Sequence, residues 1–253
     1  MVDCDVVEVD SVAELRDALT REYGVLVLSA HGVSIGNRHG LMCGREPMFG
    51  DEIDVLPPVV CLSACSVSPR GVGTVNIADL MFRHGARVVL GTLVPVDVRR
   101  NAILMTRLFA NMAEALHGRG SNTTFEGVWH FTQLSNAVND ILSGNDQLSS
   151  WASQGSREEA VIYQFMSQRS AGRLRKSHIY DDTEAVLCEM VRERGLKGKF
   201  QAWLTTPGYL PESLLYVVLG APDRIVFNDP MFTASERRLG ARVDAWLAKS
   251  ENP

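Results

Sequence analysis

Short unbroken apolar runs alternate along this chain with segments whose apolar residues recur every three or four positions, the repeat of one helix face. Residues 5–9 read as a first strand. Ser11-Val-Ala-Glu14 is a capping box opening a helix with Val12, Leu15 and Leu19 on one face. The run Val25-Leu-Val-Leu-Ser-Ala follows as a second strand, completing a βαβ unit with an expected right-handed crossover. Residues 32–58 form a Gly-rich connection, with a small hairpin around Gly40-Leu-Met-Cys-Gly44. Val59-Val-Cys-Leu-Ser-Ala-Cys65 is the next strand, followed by a Ser/Pro/Gly loop through Gly73. Thr74 would cap a helix burying Ile77, Leu80 and Met81 and ending at Gly85. Residues 86–94 form another central strand. A strong amphipathic helix then presents Ile103, Leu104, Leu108, Phe109, Met112 and Leu116 to the interior, with Gly118 beyond its end.

The pattern loosens over residues 119–207, which read as several helices and polar loops, including a polar stretch at 143–156 and a helix at 180–194. Residues 213–220 return to a buried strand, 225–227 suggest a short one, and 235–249 form a modest amphipathic helix. Strands alternating with helices predict a three-layer α/β fold around a mainly parallel sheet, with a helical insertion in the C-terminal half. The expected organisation is one domain over 1–253. Its core is 5–118 and about 210–230, interrupted by the insertion at about 119–207.

Composition narrows the function classes. Hydrophobic content of 45% and charged content of 22% are those of a globular protein that buries a core. A net charge of −5 argues against a nucleic-acid-binding face. No apolar run approaches the ~18 residues of a membrane span, and the acidic start lacks the pattern of a secretory signal. Five irregularly spaced cysteines do not suggest a disulfide framework. A cytoplasmic location is expected, with no membrane partner.

Candidate chemistry lies at two strand ends. Parallel strands buried on both faces read as continuous apolar runs, and their carboxyl ends line the ligand crevice of an open α/β sheet. His31 and Cys65 each follow such a run and are expected at one sheet edge, where a thiol beside an imidazole can form a cysteine nucleophile. Cys61 lies mid-strand and reads as core. His39, in a loop, and His84, near a helix end, are the competing bases. Asp97 suits the N-cap of the helix that follows, and as a strand-end residue it also projects toward the same crevice. No metal is expected: Cys43, Cys61, Cys65 and His39 lack metal-ligand spacing. The glycines at 71 and 73 form no phosphate loop, and Gly32 and Gly36 no dinucleotide fingerprint, so no cofactor is expected. The Arg173-Leu-Arg-Lys-Ser-His178 cluster reads as a solvated loop.

The ordered set Leu28-Ser-Ala-His31-Gly32, Gly40-Leu-Met, Cys61-Leu-Ser-Ala-Cys65 and the segment 77–97, together with Tyr216-Val-Val-Leu-Gly220, resembles the CHAT domain. That family groups with caspases, separase and gingipains among the caspase-like cysteine peptidases. The resemblance implies a caspase-like fold and endopeptidase activity on a specific partner protein. It implies that Cys65 attacks the scissile carbonyl, that His31 protonates the leaving amine, and that the N–H groups of Gly32 and Cys65 hold the oxyanion. Related peptidases place an acidic residue where Asp97 stands, to bind a basic P1 side chain. A regulated role in bacterial signalling or antiviral defence, with an activating protein partner, is also implied. The competing class is a non-catalytic interaction module on the same fold. The chain departs from the family at Val94, where Trp is usual, and at Val98, often acidic. A strand-helix unit expected before residue 5 is missing, which would fit a fragment, a processed piece or a shortened sheet.

Overall fold

The structure, a computed structural model, describes residues 5–20, 23–53, 55–65, 67–68, 75–119, 122–143, 146–155, 161, 164–165, 173, 175, 178–193, 195, 197–204 and 211–227. In chain order it contains α1 (Val12–Ala18), β1 (Val25–Ser29), β2 (Gly32–Ile35), β3 (Arg38–Cys43), β4 (Glu46–Met48), β5 (Val59–Ser63), β6 (Val75–Asn76), α2 (Ile77–Arg83), β7 (Val88–Thr92) and α3 (Val98–Leu116). Then come α4 (Phe125–Ser143), α5 (Asp146–Ala152), α6 (Ile179–Glu193), α7 (Lys197–Leu204), a 3-10 turn (Glu212–Leu215) and β8 (Tyr216–Gly220).

The central sheet has the order β1-β5-β7-β8, with the first three strands parallel and β8 antiparallel. Alternation along β5 builds both faces. Val60 and Leu62, with Val89, pack toward α1, α2 and the small β2-β3-β4 sheet. Val59 and Cys61, with Val88 and Leu90, pack against α3, the first half of α4 and Tyr216. This is the expected three-layer α/β arrangement. The second half of α4 belongs to a separate apolar cluster, in which Leu134, Val138, Ile141 and Leu142 join Phe165, Leu187 of α6 and Phe200 of α7.

Several expectations are corrected. Residues 5–9 form no strand: Val6 is 90% exposed, and the segment runs beside β1 and β3 without pairing to either sheet. The expected βαβ crossover is therefore not formed, and β1 is the outer strand of the sheet. Thr74 lies outside the described residues, and the cap of α2 is Asn76, whose side chain accepts from the Asp79 N–H. Leu80 is half-buried. The inward face of α3 is centred on Leu104, Leu108 and Met112, which leaves Ile103 45% and Leu116 38% exposed.

The 213–220 strand begins at Tyr216 and is only half-buried because it is the other outer strand. Residues 225–227 contribute a single bridge, Val226 to Thr124, and 235–249 lie outside the described residues. In the basic cluster at 173–178, Arg173 pairs with Glu189 at 2.6 Å and Arg175 with Asp182 at 2.7 Å, which ties these two arginines to α6. The Ser11 cap, the hairpin at 40–44 and the helix near 180–194 are observed. No helix among the described residues is long and apolar enough to cross a membrane.

Candidate active site

The β1–β5 register pairs Val25 with Val59 and ends by pairing Ser29 with Ser63. Two residues beyond each of these ends stand His31 and Cys65, so equal steps from a parallel register bring them to the same edge. Gly32 shows how close the two ends come. A Cβ at this position would sit 1.8 Å from the Cys65 carbonyl oxygen, so only glycine fits. The Met42 N–H donates to the His31 carbonyl at 2.8 Å. That bond makes Gly32 and Leu41 a non-hydrogen-bonded pair, which turns the Gly32 N–H away from β3. The His31 side chain is exposed, and Cys65 is half-buried.

Three neighbouring elements hold the end of β5. The Val96 N–H donates to Cys65 Sγ at 3.5 Å, and the Val96 carbonyl lies 3.9 Å from the same sulfur. The Thr92 hydroxyl donates to the Ala64 carbonyl. Asn101 Nδ2 donates to Ser63 Oγ at 2.8 Å, and the Tyr216 hydroxyl donates to Asn101 Oδ1. Burial, with Glu212 and Cys65 nearby, raises the Tyr216 phenol and keeps it a donor. Cys61, by contrast, is fully buried, and burial pushes its thiol up to about 12.

Asp97 caps α3: its Oδ1 accepts from the Arg99 and Arg100 N–H groups, both at 3.0 Å, and the side chain is exposed. It follows Val96 directly, which places it beside the thiol contact. His39 lies in β3 rather than in a loop, with Nδ1 2.8 Å from Ser34 Oγ. The His84 carbonyl accepts from the Leu56 N–H just before β5 begins, at the sheet edge opposite Cys65. Sequence reasoning missed Val96, Asn101, Tyr216 and Glu212. Asn101 stands one helical turn after Asp97, but its partners come from strands distant in sequence, so no local pattern marks it.

Glu212 is 2% exposed, and its Oε1 has no hydrogen-bond partner among the described residues. Burial, then the Asp140 and Asp97 carboxylates, push its carboxyl up to about 7, against the pull of Arg100. No group of three or more His, Cys, Asp or Glu among the described residues could hold a metal.

The fold and the paired strand ends define an α/β protein with a thiol and an imidazole at one sheet edge. Residues 4–123, which include His31, Cys65 and Asp97, match the family model of the CHAT domain, so this part of the chain is similar to that family. No curated protein and no solved structure matches the chain.

Proposed function

We propose that this chain is a cysteine endopeptidase with a His31–Cys65 dyad. The observation that carries the reading is the β1–β5 register with Gly32 packed on the Cys65 carbonyl. Cys65 Sγ attacks the scissile carbonyl as a thiolate, aided by the Val96 N–H, and the C–N bond breaks as His31 gives its proton to the leaving amine. Water, deprotonated by His31, then hydrolyses the thioester and releases the thiol. The N–H groups of Gly32 and Cys65 stabilise the oxyanion, a contribution of ~3 kcal/mol per donor.

Asp97 is the proposed contact for a basic P1 side chain, and the substrate is a specific partner protein. The proposed setting is a regulated effector role in bacterial signalling or antiviral defence, with residues 119–207 either docking an activating partner or covering the crevice until activation. The test is alkylation by iodoacetamide alongside cleavage of a peptide library. Rapid labelling confined to Cys65, slowed in His31→Ala, with cleavage lost in Cys65→Ala, is expected. Slow, uniform labelling of all the cysteines, with no cleavage, would overturn the proposal in favour of an interaction module.

A further inference from the structure

Side chains of β5 alternate between faces, so Ser63, its last residue and two before Cys65, lies on the face that carries Val59 and Cys61. Ser63 is 9% exposed at the end of an otherwise apolar strand, and its hydroxyl is met by Asn101. Asn101 is met in turn by Tyr216, the first residue of β8 and the register partner of Thr92. Thr92 itself holds Ala64. Consecutive residues leading to the nucleophile are therefore tied to α3, β7 and β8.

The link continues outward. Tyr216 follows the 3-10 turn Glu212–Leu215, whose first two residues are held by the helical layer. The Glu212 N–H donates to Asp140 Oδ2 of α4 at 2.9 Å, and Ser213 Oγ lies 2.9 Å from the Tyr180 hydroxyl of α6. A hydrogen-bonded polar chain in a poorly solvated interior has few alternative arrangements, since any broken member leaves an unpaired group.

We infer that Asn101 and Tyr216 are positioning residues that set Cys65 through Ser63, and that α4 and α6 act on the nucleophile through this chain. The inference rests on the peptidase reading and names how that same site is regulated. A displacement of the thiol of about 1 Å costs on the order of a hundredfold in reactivity toward a positioned substrate.

The test is the pH profile of Cys65 alkylation in the full chain, read with the melting temperature. Tyr216→Phe removes one hydroxyl and leaves the ring against Trp129, so it should fold. Tyr216→Phe and Asn101→Ala are expected to slow alkylation by about two- to thirtyfold. Asn101→Asp can accept from both hydroxyls. It should recover most of the plateau rate, with the midpoint moved to higher pH by the added charge. Tyr180→Phe should slow alkylation by about two- to thirtyfold.

Thr132→Ala breaks a comparable bond between α3 and α4, donated by Asn111 Nδ2 at 2.9 Å, that does not reach β5. It should lower the melting temperature without changing the alkylation rate. Equal rates in wild type, Tyr216→Phe and Asn101→Ala, or an equal slowing in Thr132→Ala, would overturn the positioning role. An unchanged Tyr180→Phe would overturn the link to the helical layer. The failure of the peptidase reading looks different: wild-type Cys65 would then react no faster than Cys188, and the positioning role would fall with it.

Discussion

At position 32 an added methyl group would meet the Cys65 carbonyl oxygen at 1.8 Å and its carbon at 2.9 Å. Both are backbone atoms, so the clash is relieved only by separating the ends of β1 and β5. Gly32→Ala should lower the melting temperature and slow Cys65 alkylation together. A variant that melts normally and labels at the wild-type rate would show that the two ends are not packed this way. The two central cysteines should part company in the opposite sense. Cys61→Ala should cost about 1–2 kcal/mol as a core truncation and leave Cys65 labelling unchanged. Asp97 is tested by Asp97→Asn, because asparagine caps a helix as well as aspartate does. Stability should hold while any preference for a basic P1 side chain falls, and an unchanged preference would assign Asp97 to capping alone.

At the scale of elements, Glu212 in the 3-10 turn gives a pH signature. Its ordinary value is 4.5, and its folded value is pushed up to about 7. Between those values the folded chain holds a proton that the unfolded chain has released, so stability falls as pH rises through this window. Glu212→Gln should match wild type near pH 4.5 and melt higher at pH 8. Melting curves across the window check it, and parallel curves would refute it. Asp182 works in a lower window. Its folded value is about 2, held down by Arg175, so its contribution is present above 3.8 and lost as pH falls through about 2.

The strands β5 and β7 were legible in the sequence because burial on both faces leaves continuous apolar runs, and β1 reads as such a run although, as an outer strand, it is only half-buried. His31, Cys65 and the Asp97 cap were legible because each stands where such a run ends. Residues 5–9 misled because an apolar alternation marks a strand only where the segment pairs with an edge, and this one runs beside β1 and β3 without pairing. The Ser63–Asn101–Tyr216 chain was invisible because its members meet only after the sheet has formed.

Across the whole molecule, α4 joins two cores. Phe125, Val128 and Trp129 pack on the central sheet, while Leu134, Val138, Ile141 and Leu142 belong to the helical cluster. Leu187→Ala, at a fully buried position of that cluster, should cost about 2–5 kcal/mol. Hydrogen exchange should then accelerate in α6 and α7 before β5 and β7, and a uniform acceleration would mean that the two cores open as one unit.

The late position of β8 also sets an order of events during synthesis. Thr92 and Tyr216 are register partners, yet all of α3 to α7 is made between them. At about 5–20 residues per second, the ribosome needs several seconds or more to cross that interval. His31 and Cys65 have by then already emerged, while Tyr216 is still unmade. The nascent chain thus carries Cys65 without the strand that completes the sheet around it, a delay that, on the proposed peptidase reading, would keep the thiol idle beside the ribosome.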